Sequence, residues 1–528
     1  MIQKQVLGWM KAIGLCFVFC VVVVPVYGRS RLIIPESELQ GKKGPELFEI
    51  LRKWHADAYK TDAELIYPEK MMLEVGIPSD AQSIPLSPYT DFNGCRMIIE
   101  NSAINNFILF SMSSKKAEKL VKVDCSIINS GDYSSVTQLK SGLKLMRIKD
   151  RNAWTHRAPE EGDYDIFRQD VILIKDGKGQ NMPITGYDED TSDPECRYID
   201  VDDEQKIICN LTIERSVHST ERTRLFQMSL QNNVLVKKLI IATPFVPQNS
   251  DNKLYCEDYC IRVMNSANIS FEDVMVRGTY STAKTWGYAV NMENVYNSLF
   301  LRFDAEAHWG VFGNNNINTV TLTDCRINRF DLHCYGRDVT CRGCVFSNQV
   351  DDSHPNQVYC QTNVLNAFGS MFGILYYENC HFVNSRPIYL RSHYRAYTAF
   401  DVVFNNCFFD INSNYPYFVS VGLLDEADNP RKELKGKCWP NISMTNCQVN
   451  VPARVKDLYM FYALRNSKTI SQINYLSSIN LKNIEINSPV PGMNSFKLTN
   501  VEIETSNRVK TKTKNVPYRL RMNMLRKR

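Results

Sequence analysis

One pattern recurs along most of this chain and limits what it can fold into. It is a short run of alternating apolar residues, a sharp break at Asn, Asp or Gly, and a second alternating run. Copies are Ile269-Ser-Phe-Glu-Asp-Val-Met-Val, Val320-Thr-Leu-Thr-Asp-Cys-Arg-Ile, Val339-Thr-Cys-Arg-Gly-Cys-Val-Phe and Ile442-Ser-Met-Thr-Asn-Cys-Gln-Val, with later ones at Ile479-Asn-Leu-Lys-Asn-Ile-Glu-Ile and Phe496-Lys-Leu-Thr-Asn-Val-Glu-Ile. Alternation over four or five residues is the period of a strand, and Asn or Asp enters the left-handed backbone region more readily than any residue but Gly. Helical stretches are too few to supply the crossovers of a doubly wound sheet. Short strands repeated this often bury their apolar side by coiling, each turn about 4.8 Å from the last. The breaks are unevenly spaced: 19 residues from Cys325 to Cys344, 27 from Cys380 to Cys407 and 40 from Cys407 to Cys447. A coil absorbs this in loops of variable length, whereas a β-propeller needs a steadier period. The expected fold is all-β, a right-handed single-stranded parallel β-helix, its hand following the preference of parallel connections.

Cysteine placement fits the same architecture. Cys125, Cys325, Cys344, Cys380, Cys407 and Cys447 each follow Asp, Asn or Gly and precede a short β-like run. A metal site gathers its ligands, whereas these recur along the chain, so they read as small buried residues in one structural slot. Cys256, Cys260 and Cys438 fall outside the slot and are the better disulfide candidates. At the N-terminal side, Leu47, Ile50, Leu51 and Trp54 share one face of a helix opened by Pro45, a natural cap for the open end of a coil.

From here the chain resembles the pectate-lyase-like superfamily of right-handed β-helices, in particular its uncharacterised secreted and tailspike-like branch. The residues that carry the resemblance are the capping helix Pro45–Lys60, the strand Leu65-Ile66-Tyr67-Pro68 and the turn Gly94-Cys-Arg-Met-Ile. It implies a capping helix over 44–60, a coil over 61–505 and, weakly, a polysaccharide as partner. Residues 130–215 break the strand rhythm, with an acid-rich Asp188–Asp203, and read as an irregular insertion.

Charge is unevenly spread. The formal net charge is +5, yet nine basic residues lie in 508–528 and two in 1–28 with no acid in either, which leaves −6 for the body. A slightly acidic body with a basic tail lacks the basic stripe of a nucleic-acid binder. Residues 1–28 carry Lys4 and Lys11, then an apolar run from Ile13 to Val24 too short to span a membrane comfortably, and end in Val26-Tyr27-Gly28. This is the pattern of a secretory signal peptide, so export to the periplasm, cell surface or medium is expected.

The most specific chemical feature is a doubled motif. Arg302-Phe303-Asp304, with Glu306, His308 and Trp309 after it, is followed 27 residues later by Arg329-Phe330-Asp331-Leu332-His333. If 27 residues make one turn, Asp304 stacks over Asp331, Arg302 over Arg329, and Glu306 lies beside His333. Paired carboxylates split into a proton donor and an ionised partner, as glycoside cleavage requires. Asp304, Asp331, His333, Glu306 and His308 are therefore the catalytic candidates. Arg302, Arg329 and Arg391 are expected to bind substrate charge, and Trp309, Trp286 and Tyr335 to stack a sugar ring. The alternative is a charge ladder that only stabilises the coil. Asp351 and Asp352 could hold Ca²⁺ if the reaction were a β-elimination; otherwise no cofactor is expected. A second basic cluster joins Arg386, Arg391, His393 and Arg395 with Tyr389, Tyr394 and Tyr397. The sequence thus predicts an exported, polysaccharide-cleaving protein, hydrolase favoured over lyase, with no membrane span and a monomeric or homotrimeric state. A non-catalytic glycan-binding or surface-structural β-helix is the other reading.

Overall fold

The computed structural model describes residues 28–99, 104, 106–156, 165–215, 223–242, 259–277, 288–305, 310–327, 330–347, 363–367, 370–391, 398–411, 417–422, 441–453, 458–464, 477–487, 496–505 and 520–523. The repeating pattern builds one large, mostly parallel β-sheet closed round an axis, a parallel β-helix. Successive turns run in register. Val290 pairs with Phe312 and Phe312 with Phe330, while Phe300 pairs with Leu322 and Leu322 with Cys341. Each turn has a first face, two closely spaced bends, a second face, a sharp corner and a short third face.

Left-handed residues make the corners. Asp273, Arg302, Asp324, Gly343, Asn379, Asn406 and Asn446 all have φ between 51° and 61°. Each donates its backbone N–H to the last carbonyl of the second face one turn on, as Asn379 to Asn405 at 3.0 Å and Asn406 to Thr445 at 2.9 Å. Side chains stack here too: Asn406 Nδ2 donates to Asn379 Oδ1 at 3.1 Å, and Asn483 Nδ2 to Asn446 Oδ1 at 2.7 Å. The bends carry a buried ladder of their own, Asn316 donating to Asn294 and Asn294 to Asn265, both at 3.0 Å.

Immediately after the corner, Cys325, Cys344, Cys380, Cys407 and Cys447 fill one interior slot, each no more than 2% exposed. Aromatic rings stack behind them, as Phe346 on Phe382 and Phe382 on Phe409 at 5.0 and 4.8 Å. Cys125 does not share the slot. It opens a short helix, Cys125–Ser130, because Ile128 and Cys125 lie on one helical side and Gly131, at φ 68°, ends the turn. Cys260 is buried in the coil core, and Cys256 and Cys438 lie outside the described residues. The last repeat also departs from expectation. Phe496–Thr505 pairs antiparallel with Ser477–Asn487, since the eight residues between them are too few to complete a turn.

The helix Gly44–Thr61 buries Leu47, Phe48 and Leu51 against the first turn. No helix among the described residues is long and apolar enough to cross a membrane. Between Phe107–Ser113 and Lys206–Arg215 the chain leaves the coil. It forms a five-stranded sheet ordered Lys178–Gly179, Asp165–Lys175, Leu143–His156, Pro194–Asp200, Lys119–Val121, antiparallel throughout. The coil is uninterrupted beneath it, because Tyr89–Ile99 pairs directly with Lys206–Arg215. One side of the inserted sheet has its own core, including Ile128, Met146, Ile148 and Ile172. From the other side Leu145, Val171, Leu173 and Ile199 pack on Ala267 of the coil.

Within the inserted sheet's own core, Arg168 pairs with the fully buried Asp150 at 2.8 Å. Beside it Asp170 accepts from the Tyr187 hydroxyl and the Ile184 N–H, both at 2.8 Å. Burial pushes Asp170 up to about 7, the two hydrogen bonds and Arg168 only partly opposing it.

Two outcomes follow for stability. Asn406→Ala should lower the thermal midpoint by an amount corresponding to about 1–2 kcal/mol, because Ala lacks the short polar side chain that lets Asn occupy the left-handed region, and Asn406→Gly should cost less. Scanning both beside wild type at one heating rate checks this; equal losses would leave only the side-chain ladder as the cause. Between pH 4 and pH 7 folded Asp170 keeps a proton that the unfolded chain releases, so its contribution to stability falls as pH rises through that window. Asp170→Asn should flatten this decline and raise the midpoint at pH 8, measured by unfolding scans from pH 4 to pH 8.

Candidate functional site

Alternation sets the chemistry of the first face. In Tyr288–Leu301, Val290 and Met292 point into the core while Asn291 and Glu293 take the outward positions. The same pattern holds in Phe330–Arg342, where Phe330 and Leu332 are core and Asp331 and His333 alternate with them. Register then lines these positions up. Gln227, Arg262, Asn291, Gly313 and Asp331 form one row across five turns. Met264, Glu293, Asn315 and His333 form the next.

A polar cluster results. The Tyr288 hydroxyl donates to Asp331 Oδ2 at 2.9 Å, reaching across the whole intervening turn. It can do so because that turn presents glycine twice: Gly310 is the register mate of Tyr288, and Gly313 that of Asp331. His333 Nε2 lies 3.9 Å from the same carboxylate oxygen, and the Tyr288 and His333 rings meet edge to face at 6.4 Å. Arg262 Nη2 pairs with Glu293 Oε2 at 3.0 Å. Exposure divides the cluster into two layers. Asp331 is wholly buried and Tyr288 nearly so. The side chains of His333, Arg262 and Glu293 remain 22%, 23% and 32% exposed.

The doubled motif does not stack as its letters suggest. Asp304 stands on the third face, in register with Met275 and Arg326, and Asp331 stands on the first. The turn between them takes 22 residues, not 27, so Arg302-Phe303-Asp304 and Phe330-Asp331 occupy different parts of the turn. Arg302 is itself a corner residue. Its guanidinium holds Asp273 at 2.5 Å and Glu272 at 3.0 Å, which lowers the Asp273 pKa and raises that of Arg302. Tyr335 offers no stacking surface, because it is fully buried and its hydroxyl donates to the Gln169 carbonyl at 2.6 Å. Arg391 ends the strand His381–Arg391, its backbone paired with Gly422. Glu306, His308, Trp309, Trp286, Arg329, Asp351 and Asp352 lie outside the described residues. Among the described residues there is no group of three or more His, Cys, Asp or Glu placed to hold a metal ion.

Glu293, Arg262, Tyr288 and Asn291 escaped the sequence reading. The signal was present in Val290-Asn-Met-Glu, which has the same core and outward alternation as Phe330-Asp-Leu-His, and in the glycines of Gly310-Val-Phe-Gly.

The inserted sheet borders this cluster. Gln169 accepts from Asn294 Nδ2 at 2.9 Å through its side-chain oxygen, and its backbone bonds the Tyr335 hydroxyl in both directions. Asn294 follows Glu293 directly and Tyr335 lies two residues past His333, so the sheet is pinned beside both.

The chain matches no protein-family model and no curated protein. Solved structures similar to it include three phage tailspikes. The tailspike protein gp49 from Pseudomonas phage LKA1 aligns over 82% of this chain and 69% of its own, at 10% identity and a TM-score of 0.49. The tailspike gp61 of Pseudomonas phage phi297 aligns over 81% and 76%, at 11% identity and a TM-score of 0.40. The Gp54 tailspike of Acinetobacter baumannii bacteriophage AP22, solved in complex with A. baumannii capsular saccharide, aligns over 87% and 80%, at 10% identity and a TM-score of 0.37.

Proposed function

We propose that this protein binds a polysaccharide across the outward side of the first face and hydrolyses its glycosidic bonds there. The observation that carries the reading is the alignment of Glu293 and His333 in one outward row, two turns apart, over the buried Asp331. Two turns separate their backbones by about 9.6 Å. The two reacting groups of an inverting glycosidase stand about 6.5–9.5 Å apart, just under this backbone spacing, which leaves room for the attacking water. In this arrangement His333 gives a proton to the leaving glycosidic oxygen as the C–O bond breaks. Water adds to the anomeric carbon and yields its proton to the Glu293 carboxylate, which Arg262 holds in place. Asp331 is a positioning residue: too buried to touch a sugar, it and Tyr288 fix the His333 ring from beneath. Glu293 thus supplies the ionised carboxylate that the sequence sought in the pair Asp304 and Asp331. An extracellular polymer as substrate accords with the leader-like residues 1–28.

Incubating the purified chain with a panel of acidic and neutral polysaccharides should release reducing ends without the ultraviolet absorbance of a new C=C bond. Glu293→Gln and His333→Gln should each lower turnover about 100-fold while leaving binding intact. Unchanged turnover in both variants would remove the site from consideration. Binding without release of reducing ends, in wild type, would establish a glycan-binding protein instead.

A further inference from the structure

The inserted sheet does more than cover the coil. Its strand Asp165–Lys175 turns Val171 and Leu173 toward the coil, where they pack with Ala267. By alternation Gln169 and Phe167 are on the same side. Gln169 meets the coil at Asn294 and Tyr335, on turns later than that of Ala267. The strand therefore runs along the coil axis toward later turns, and Phe167 lies about 6.8 Å beyond Gln169 on the same side. In the neighbouring strand Lys149 is the register partner of Gln169 and shares this side.

Neither residue is used up by packing. Phe167 is half-buried and Lys149 exposed, with its ammonium 5.6 Å from the Phe167 ring centre. The other cations on this side of the sheet are paired: Arg147 with Glu118, Lys175 with Asp203 and Arg197 with Glu195. Among the described residues Lys149 has no carboxylate partner. An aromatic ring and an unmatched ammonium, standing on the coil-facing side of the sheet next to the bends that follow Glu293 and His333, form the two halves of a recognition site for a sugar ring that bears an acid group.

Resting on the polysaccharide reading of the first face, we propose that the inserted sheet is the second wall of the same groove. Phe167 stacks a pyranose ring beside His333, and Lys149 selects the anionic substituent on it. The polymer preferred is then one carrying a carboxylate on the sugar bound at this wall. The insertion, absent from the coil's own repeat, is what confers that choice.

The test uses the full chain and uronic-acid polymers, each beside its carboxyl-reduced form. Wild type should bind and cleave the acidic form in preference. Lys149→Met should erase about fivefold of that preference while leaving affinity for the reduced polymer unchanged. Phe167→Leu should weaken both forms alike, about fivefold. Full preference retained in Lys149→Met, or unchanged affinity in Phe167→Leu, overturns the proposal. If Glu293→Gln still abolishes cleavage in that case, the first-face reading survives and this one alone fails. If wild type neither binds nor cleaves any polymer, both fall together.

Discussion

The register between successive turns is the constraint on which the rest of this protein depends. It is held by backbone hydrogen bonds at every corner and by like residues stacked in like slots: Asn over Asn outside, thiol over thiol and ring over ring inside. The corner demands a left-handed residue, and the chain meets that demand with Asn, Asp or Gly in most turns. Once the corner is placed, the core side of every strand is set by alternation, and the loops are free to differ in length. A turn can take 22 residues or 40 without disturbing the stack, because the register is held at the faces and the corner whatever the length of chain between them.

That freedom is also how the candidate site arises. Outward positions of a coil are normally solvated, yet here a carboxylate sits under a histidine and a tyrosine with no exposure of its own. The intervening turn presents glycine at the register positions of both, Gly310 beside Tyr288 and Gly313 beside Asp331. The half-buried layer above, Glu293 and His333, is spaced by the coil itself. A rigid scaffold with a fixed rise places reacting groups more accurately than loops can, which suits it to holding two groups either side of one sugar linkage.

Much of the fold was legible because it is written in short-range patterns. Alternation, Asn-Cys corners and the Leu47–Trp54 helical face are local facts, and each forms the element it predicts. Cys125 was misread because Asp-Cys-Ser-Ile-Ile looks like a corner until Gly131 closes it as a helix. The site was half legible. The sequence singles out His333 and Asp331, which the structure brings together with Tyr288, but it stacks Asp304 over Asp331, since Arg-Phe-Asp occurs both at a corner and at the start of a first face. Tyr335 looked like a sugar platform, and only its contact with Gln169, 166 residues away, shows it to be an anchor for the inserted sheet.

The sequence by itself determined that this chain is a coil of short parallel strands, where most of its corners fall and which residues face the core, for these follow from the geometry of four to eight consecutive residues. Which outward residues meet was decided only in three dimensions. Turn lengths vary with the loops, so no count along the chain gives the register; the hydrogen bonds between turns do. They bring Glu293 into line with His333, part Asp304 from Asp331, and seat strand Asp165–Lys175 along the turns that carry both Glu293 and His333.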